Sequence, residues 1–345
     1  MYKIKQVPED FIVKEISSVK TESTGHYSYY ILKKVNCTTV GALQALSEKF
    51  KIPLKHFGFA GNKDKNAVTS QKISILNGSK NFENIKLNNI ELKYLGSGKG
   101  PISLGDLKGN EFAITIRNLG INEINKIKKY INKIKKSELL KPKKILIANF
   151  FGIQRFSRNN HLVGKAIIKR DFKKAVELIL ENSGYLESQI RIYLQSNKNN
   201  YAAALRMIPL KTRKLLVHSY QSFLFNETVK KISKGNFFSR NIKIPIIGFD
   251  FELESIKNKI LKGIIKKIMD EEEINPRDFI ISQMPELTCE GTERDLFFRP
   301  KNLDVLEIGE DELNQNKKKI KIKFNLPKGC YATVLVDFLM LQKQN

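Results

Sequence analysis

One aspartate near the start of the chain has the surroundings that a catalytic carboxylate needs. Asp64 follows Gly58 and Gly61 and lies between Lys63 and Lys65. Glycines this closely spaced predict a sharp loop or a backbone that another molecule approaches closely. The neighbouring positive charges favour the ionised form of Asp64, and an ionised, fixed carboxylate can act as a nucleophile or a base. A turn aspartate bonded to its own backbone explains an isolated Gly-x-Lys-Asp equally well.

A second group of residues suited to chemistry lies at Ala148–Phe156, where aromatic rings, an amide and an arginine follow one another closely. Aromatic faces stack on nucleic-acid bases, and amides such as Asn149 read base edges. Arg155 could contact a phosphate or a carboxylate. A buried strand end accounts for the same residues about as well. Taken alone, Phe11 reads as a core residue and Tyr331 as a structural one.

Several patterns predict the elements that carry these residues. Alternation around Phe11 and along Lys317–Phe324 predicts strands, and residues 91–117 read as strand, loop and strand. Threonines 38 and 39 predict the cap of a helix over Val40–Phe50. Isoleucines at positions 121, 124, 127, 131 and 134 predict a helix over 121–136 with one apolar stripe, and Ala332–Leu341 predicts a closing helix. Helical periods dominate 158–300, with helices over 161–174, 172–180, 214–232 and 255–269.

The net charge of +26 is the strongest bulk signal. Such an excess points to a polyanionic partner, and nucleic acid is the usual one. A lysine-biased genome is the alternative explanation. The lysine-rich run at 121–144 is a candidate phosphate track, or else a solvated helix face. The length of 345 residues suggests about two domains, and 41% hydrophobic residues exclude a disordered chain.

Other classes of protein are disfavoured. No apolar run approaches the ~20 residues of a membrane span, and no secretory leader is evident, so we expect a cytoplasmic protein without a membrane partner. Cys37, Cys289 and Cys330 are far apart and the histidines are scattered, so we expect no metal. Tyr94–Gly100 fails the phosphate-loop pattern because Gly100 follows Lys99, and no glycine-rich fingerprint supports a methyltransferase cofactor.

The stretch Gly61–Gln71 resembles the G-x-K-D-x-x-A-x-T-x-Q signature of the TruD family of RNA pseudouridine synthases. Further segments resemble the family's motifs in the family's order, and the match is to archaeal-type members. These segments are Val7–Glu15, Gly105–Phe112, Ala148–Phe156, Tyr220–Glu227 and Leu326–Thr333. Ser157 departs from the usual glycine after the fourth motif segment, which weakens a turn prediction there.

The resemblance implies roles for individual residues. Asp64 is the expected catalytic residue, and Phe11, Asn149, Phe151 and Tyr331 are the expected substrate-binding residues. The cation that keeps Asp64 ionised is left open, because side chains adjacent in sequence often diverge. Candidates for this partner, or for RNA contacts, are Lys63, Lys65, Gln71, Arg155 and Arg299.

The resemblance also implies an α+β fold with a central, mainly antiparallel sheet, interrupted by a family-specific α/β or mostly helical insertion. We expect the catalytic domain at 1–157 and 301–345 and the insertion at 158–300. The implied activity converts a tRNA uridine, uridine 13 in the usual bacterial case, to pseudouridine without a cofactor, and we expect a monomer. The alternative is a non-catalytic RNA-binding or RNA-chaperone protein.

Overall fold

The structure, a computed structural model, describes residues 1–84, 87–139, 145–235 and 241–341. Its strands are β1 (Phe11–Ser17), β2 (Tyr27–Val35), β3 (Phe57–Phe59), β4 (Val68–Leu76), β5 (Ile90–Gly98), β6 (Leu107–Leu119), β7 (Ile147–Ala148), β8 (Lys243–Ile246), β9 (Thr292–Asp295), β10 (Phe297–Phe298), β11 (Lys301–Glu310) and β12 (Lys318–Pro327). Its helices are α1 (Thr39–Phe50), α2 (Ile121–Leu139), α3 (Asn160–Ile168), α4 (Phe172–Leu180), α5 (Tyr185–Ser196), α6 (Tyr201–Arg206), α7 (Leu210–Gly235), α8 (Lys259–Glu271) and α9 (Ala332–Leu341).

The chain divides into two compact units. The first contains Met1–Ile145 and Arg299–Asn345, and the second contains Leu146–Phe298. The segment that carries Asn149 and Phe151 therefore belongs to the second unit, and Asp64 belongs to the first. The domain boundaries expected above stay a prediction.

Among the described residues, the first unit is built on an eight-stranded sheet with the order β11-β12-β6-β1-β4-β2-β5, and β3 pairs with the far end of β4. Only the β1–β4 pair is parallel, so the prediction of a mainly antiparallel sheet is confirmed. Because β1 lies between β6 and β4, Phe11 is placed opposite Ile114 in the middle of the sheet.

The alternation that predicted the C-terminal strand is confirmed in β12. Ile320, Ile322 and Phe324 are fully buried, while the lysines between them point to the other face. The ring of Phe112 stacks on Phe324 at 5.4 Å and meets Phe11 edge to face at 6.0 Å. Each such pair contributes about 0.5–1.5 kcal/mol beyond burial, so the rings tie β1, β6 and β12 together.

The helix after β2 begins where its cap residue predicted. Thr38 Oγ1 accepts a hydrogen bond from Gly41 N at 3.0 Å, which satisfies one donor of the first turn. Leu43 and Leu46 are 1% exposed and pack on sheet residues including Leu32 and Ile73. α1 thus covers the β2–β4 half of the sheet.

Helix α2 follows its predicted stripe in part. Ile124, Ile127, Ile131 and Ile134 are buried, but Ile121 is 54% exposed, so its assignment to the stripe was wrong. Ile121 is the first residue of the helix, and the buried face begins only at Ile124. α2 contacts α9, β11 and β12. Residues 140–144 of the predicted lysine track lie outside the described residues.

The second unit is mainly helical and has its own core. The predicted helices are observed as α3, α4, α7 and α8, whereas α5 and α6 were not predicted. Tyr220 and Phe225 of α7 are 1% exposed and belong to this core. A Cβ on Gly164 would lie 2.2 Å from the Leu216 carbonyl oxygen, so this glycine lets α3 approach α7 closely. Within the described ranges, no helix combines the length and the apolar character needed to cross a bilayer.

Candidate active site

Asp64 lies in the loop between β3 and β4, and its carboxylate pairs with the ammonium of Lys5. The Lys5 Nζ to Asp64 Oδ1 distance is 3.0 Å, and the Asp64 side chain is 35% exposed. The Lys5 side chain is only 15% exposed, and its backbone has the uncommon φ of 61°. The structure therefore gives Asp64 one defined cationic neighbour and leaves part of the carboxylate open.

The main chain of this loop is fixed by side chains of the elements around it. Gln71 of β4 donates through Nε2 to Gly61 O at 3.1 Å. Thr39 Oγ1, at the start of α1, accepts from Lys63 N at 2.9 Å and donates to Gln71 Oε1 at 3.0 Å. Gln71, a residue of the family signature, thus acts on the loop backbone in this structure.

Lys34 of β2 supports the loop at Asp64 itself. Its Nζ donates to Asp64 O at 2.8 Å and to Cys37 O at 2.6 Å, and the side chain is fully buried. Burial lowers the pKa of Lys34 from its usual value, because the charged form loses its hydration. The buried Lys34 ammonium thus fixes the main chain of Asp64 through its carbonyl oxygen.

Lys63, a candidate partner of Asp64, forms its ion pair elsewhere. Its Nζ lies 2.5 Å from Glu15 Oε2, and the two side chains are 6% and 1% exposed. Glu15 also accepts from Lys72 N at 3.3 Å. Lys65 is exposed, and no carboxylate of the described residues lies within 4.0 Å of its ammonium. Neither Lys63 nor Lys65 is therefore the observed partner of the Asp64 carboxylate, which is Lys5.

Phe11 lies beside the Lys5–Asp64 pair. Its ring is 2% exposed, and Lys5 Nζ lies 4.0 Å above the ring centroid. A cation at this distance is attracted by the ring quadrupole. The structure therefore brings Lys5, Phe11 and Asp64 together in the first unit.

Asn149 is buried within the second unit, and its amide is used there. Its Nδ2 donates to Asp295 O at 2.9 Å, and its Oδ1 accepts from Arg294 Nη2 at 2.8 Å. Arg294 also donates to Asn149 O at 3.3 Å. These bonds fix the position of Asn149 at the end of β7.

Phe151 is half-buried and its main chain is bracketed by one amide. Asn226 of α7 accepts from Phe151 N at 2.8 Å and donates to Phe151 O at 3.0 Å. Arg294 stacks over the Phe151 ring at 4.1 Å, and Arg155 lies over it at 5.8 Å. Arg155 also donates to Ser222 Oγ at 3.2 Å. Asn149, Phe151 and Arg155 thus belong to one network inside the second unit.

Tyr331 lies between β12 and α9 in the first unit, just after a turn at residues 328–329. Gly329 has φ of 84°, which a residue with a Cβ rarely adopts. Lys328 N donates to Lys108 O at 3.1 Å and Tyr331 O accepts from Val334 N at 3.2 Å. The tyrosine is half-buried at the start of the closing helix.

Sequence reasoning did not single out Lys5, Lys34 or Arg294. Lys5 and Lys34 are ordinary members of a lysine-rich chain, and nothing in their spacing distinguishes them. The partner of Asp64 is 59 positions away in sequence. The sequence indicated only that Asp64 has cations nearby, namely the two lysines beside it, and neither of these is Lys5.

The arrangement in the first unit can perform nucleophilic or base chemistry. A carboxylate with an ammonium partner, on a backbone held by several hydrogen bonds, is oriented before any ligand arrives. Among the described residues, no group of three or more histidines, cysteines, aspartates or glutamates is arranged to hold a metal ion.

Comparison with known proteins identifies the family. The model for "tRNA pseudouridine synthase D (TruD)" matches residues 2–192 and 230–337. A protein of Methanococcoides burtonii named "probable tRNA pseudouridine synthase D" is 29% identical, over 97% of this chain and 92% of its own length. "tRNA pseudouridine synthase D" of Aquifex aeolicus is 27% identical, over 97% of both chains.

The fold is also similar to that of a solved structure. A crystal structure of a TruD protein from Methanosarcina mazei superposes with a TM-score of 0.75 and 28% identity, and covers 99% of this chain and 94% of that one. The family model spans well over half of the sequence, and the motifs around Asp64, Asn149 and Tyr331 lie within its matched ranges. The chain belongs to the TruD family of tRNA pseudouridine synthases.

Proposed function

We propose that this protein is a tRNA pseudouridine synthase in which Asp64 is the catalytic nucleophile or base. The observation that carries the proposal is the Asp64–Lys5 pair. Its carboxylate is 35% exposed, 3.0 Å from a mostly buried ammonium, on a loop fixed by Lys34, Thr39 and Gln71. A purely RNA-binding surface has no need of a fixed carboxylate, which repels phosphates.

The reaction is an isomerisation. The bond between C1′ and N1 of the uracil breaks, the base rotates, a bond forms between C1′ and C5, and the proton on C5 is replaced by one on N1. Asp64 can begin it by attacking C1′, by attacking C6, or by removing the C2′ proton to give a glycal. It can then accept the C5 proton as a base. Lys5 balances the charge of the carboxylate when no substrate is bound.

The substrate follows from charge and aromatic surface. The net charge of +26 suits a polyanion such as tRNA, and binding should weaken steeply with salt. A uridine must leave its stack to reach Asp64, at a cost of a few kcal/mol, and each ring that stacks on it returns about 1–3 kcal/mol. In the first unit we propose such a contact for Tyr331; for Asn149 and Phe151 of the second unit, substrate binding is proposed from the family resemblance. Phe11 was expected to bind the substrate, but its ring is 2% exposed under the Lys5 ammonium, so we propose that it supports Lys5 by packing.

We further propose uridine 13 of tRNA as the target and the cytoplasm as the compartment. The test is tritium release from an unmodified tRNA transcript labelled at C5 of uridine, followed by mapping of pseudouridine by chemical modification and primer extension. The proposal predicts release of one equivalent and a stop at position 13, both lost when that uridine is replaced by cytidine. Tight, salt-sensitive tRNA binding without release would favour the RNA-binding alternative. Release with a stop elsewhere would retain the activity and reject the position.

A further inference from the structure

Lys5 is held by more than its contact with Asp64. Lys3, two residues earlier, exchanges backbone hydrogen bonds with Arg117 of β6, at 3.0 Å and 2.8 Å. The Lys3 ammonium donates to Asn314 Oδ1 at 2.7 Å. The chain is thus attached to the sheet just before it turns through the uncommon backbone conformation of Lys5.

The chain just after Lys5 is attached to a buried carboxylate. Asp10 Oδ2 accepts from Gln6 N at 3.0 Å and from Val7 N at 3.2 Å. Asp10 itself is 1% exposed and directly precedes Phe11. One carboxylate therefore fixes both amides that follow Lys5.

Asp10 is in turn held by one buried guanidinium. Arg117 is 4% exposed and donates through Nε to Asp10 Oδ1 at 2.8 Å. Its other nitrogens donate to Asp311 Oδ1 at 2.9 Å and to Glu312 Oε1 at 3.0 Å. A guanidinium offers its donors in a rigid plane, so these bonds fix the orientation of Asp10.

Lys3, Asp10 and Arg117 together form a clamp on the chain around Lys5, and Lys5 needs one in order to keep its position. A lysine side chain is long and flexible, and a non-glycine residue with positive φ persists only where its surroundings impose it. The attachments at Lys3 and Asp10 impose it from both sides. They fix the backbone position from which the Lys5 ammonium reaches the Phe11 ring and the carboxylate of Asp64.

We propose that Asp10 and Arg117 are positioning residues for catalysis, which hold Lys5 against the carboxylate of Asp64. The proposal rests on the catalytic role proposed for Asp64. It adds that residues without any contact to the reacting atoms set the rate through the backbone of Gln6 and Val7. A clamp that only stabilises the fold would reduce the amount of folded enzyme and leave the rate of each folded molecule unchanged.

The test compares Asp10→Asn with Asp311→Asn in the full chain. Both changes remove one carboxylate from Arg117, and both carboxylates are almost fully buried. Asp311 is the control because its backbone contacts are with Asn118 and Leu313, and it reaches Lys3 and Gln6 only indirectly, through the side chain of Asn314. Each variant is also made with Lys5→Met, and kcat is measured on the folded fraction.

The proposal predicts that Asp10→Asn lowers kcat about 100-fold, since small misplacements of catalytic groups have effects of that size, while KM for tRNA changes less than about twofold. In the Lys5→Met background Asp10→Asn should lower kcat by less than about threefold, because the two changes act through one contact. Asp311→Asn should leave kcat within about threefold in both backgrounds. Equal effects of Asp10→Asn in both backgrounds, or an unchanged kcat, would overturn the proposal.

Hydrogen exchange separates this proposal from the proposed function. Without RNA, Asp10→Asn should accelerate amide exchange in the peptide that contains Lys5, Gln6 and Val7 at least about tenfold, and Asp311→Asn should not. If the wild-type protein releases no tritium, the proposed synthase activity is rejected. The exchange comparison then still tests whether Asp10 holds the chain at Lys5. Unchanged exchange in Asp10→Asn would reject the clamp even in an active enzyme.

Discussion

Lys63 and Glu15 form an ion pair in which both side chains are almost wholly buried, at 2.5 Å. The pair joins the loop of Asp64 to β1, the strand that also carries Phe11. The lysine next to Asp64 thus fixes the loop, and Lys5 supplies the positive charge that pairs with the Asp64 carboxylate. Adjacent positions in one motif serve two separate contacts.

Glu15→Gln should destabilise the first unit strongly. It leaves the buried ammonium of Lys63 without its partner, which typically costs about 3–5 kcal/mol. Urea unfolding followed by circular dichroism measures the change. The double variant Glu15→Gln with Lys63→Met should recover much of the loss, because no unpaired charge remains. A loss below about 1 kcal/mol in the single variant would show that the pair is not buried as described.

Lys5→Met should slow pseudouridine formation about 100-fold, the usual scale for removing one electrostatic partner at a reacting centre. Lys5→Arg keeps the charge and should recover part of the rate. Single-turnover tritium release at saturating enzyme measures the effect apart from tRNA binding. Lys65→Met is the control, since it also removes one lysine, here the exposed one that follows Asp64 directly in sequence. Equal losses in both variants would mean that Lys5 acts only through general charge.

The cluster around Arg117 predicts acid sensitivity. Burial alone would raise the pKa of Asp311, but hydrogen bonds, first that from Asn118 N, outweigh it and hold the pKa below the usual 3.8. Hydrogen bonds from Arg117 and Lys319 lower the pKa of Glu312 from 4.5 to about 2.

Carboxylates with lowered pKa contribute stability above their unfolded values and lose it as the pH falls through the folded values. As the pH is lowered from 4.5 to about 2, the urea concentration at the midpoint of wild-type unfolding should therefore decrease, and its difference from that of Asp311→Asn should narrow below pH 3.8. If the difference between the two urea midpoints stays constant as the pH falls, the hydrogen bonds assigned to Asp311 are contradicted.

Two glycines in and just before the Asp64 loop, Gly61 and Gly58, should respond differently to alanine. A Cβ on Gly58 would lie 2.5 Å from Ile102 O and from Ser74 Oγ, whereas a Cβ on Gly61 would meet nothing within 4 Å. Gly58→Ala should lower the free energy of unfolding by about 1–3 kcal/mol, and Gly61→Ala should leave it within about 0.5 kcal/mol. Thermal unfolding measures both. An increase of KM for tRNA in Gly61→Ala alone would indicate that RNA approaches this backbone, and a large stability loss in that variant would contradict the open space.

Local patterns were sufficient for much of the fold. The cap at Thr38, the alternation of Ile320, Ile322 and Phe324, and the closing helix after Tyr331 each follow from a few adjacent residues. Ile121 was misplaced because helical periodicity does not show where the buried face of a helix begins.

The partner of Asp64 could not be predicted because tertiary structure alone creates it. Lys5 owes its placement to Asp10 and Arg117, which are distant in sequence from each other and from Asp64. Lys63 seemed suitable by proximity along the chain, but its side chain points to Glu15. The sequence motifs singled out Asp64 as the candidate, whereas its cationic partner could be found only once the folded sheet was known.

Asp64→Asn tests the central claim most directly. The substitution keeps the shape and the hydrogen bond to Lys34, which is made by the main chain, and removes only the negative charge. Glu91→Gln is the matched control, because it removes one exposed carboxylate from β5 at the sheet edge. The proposed role of Asp64 predicts no detectable tritium release from Asp64→Asn, tRNA affinity within about threefold of wild type, and normal turnover in Glu91→Gln. Turnover by Asp64→Asn at the wild-type rate would contradict it.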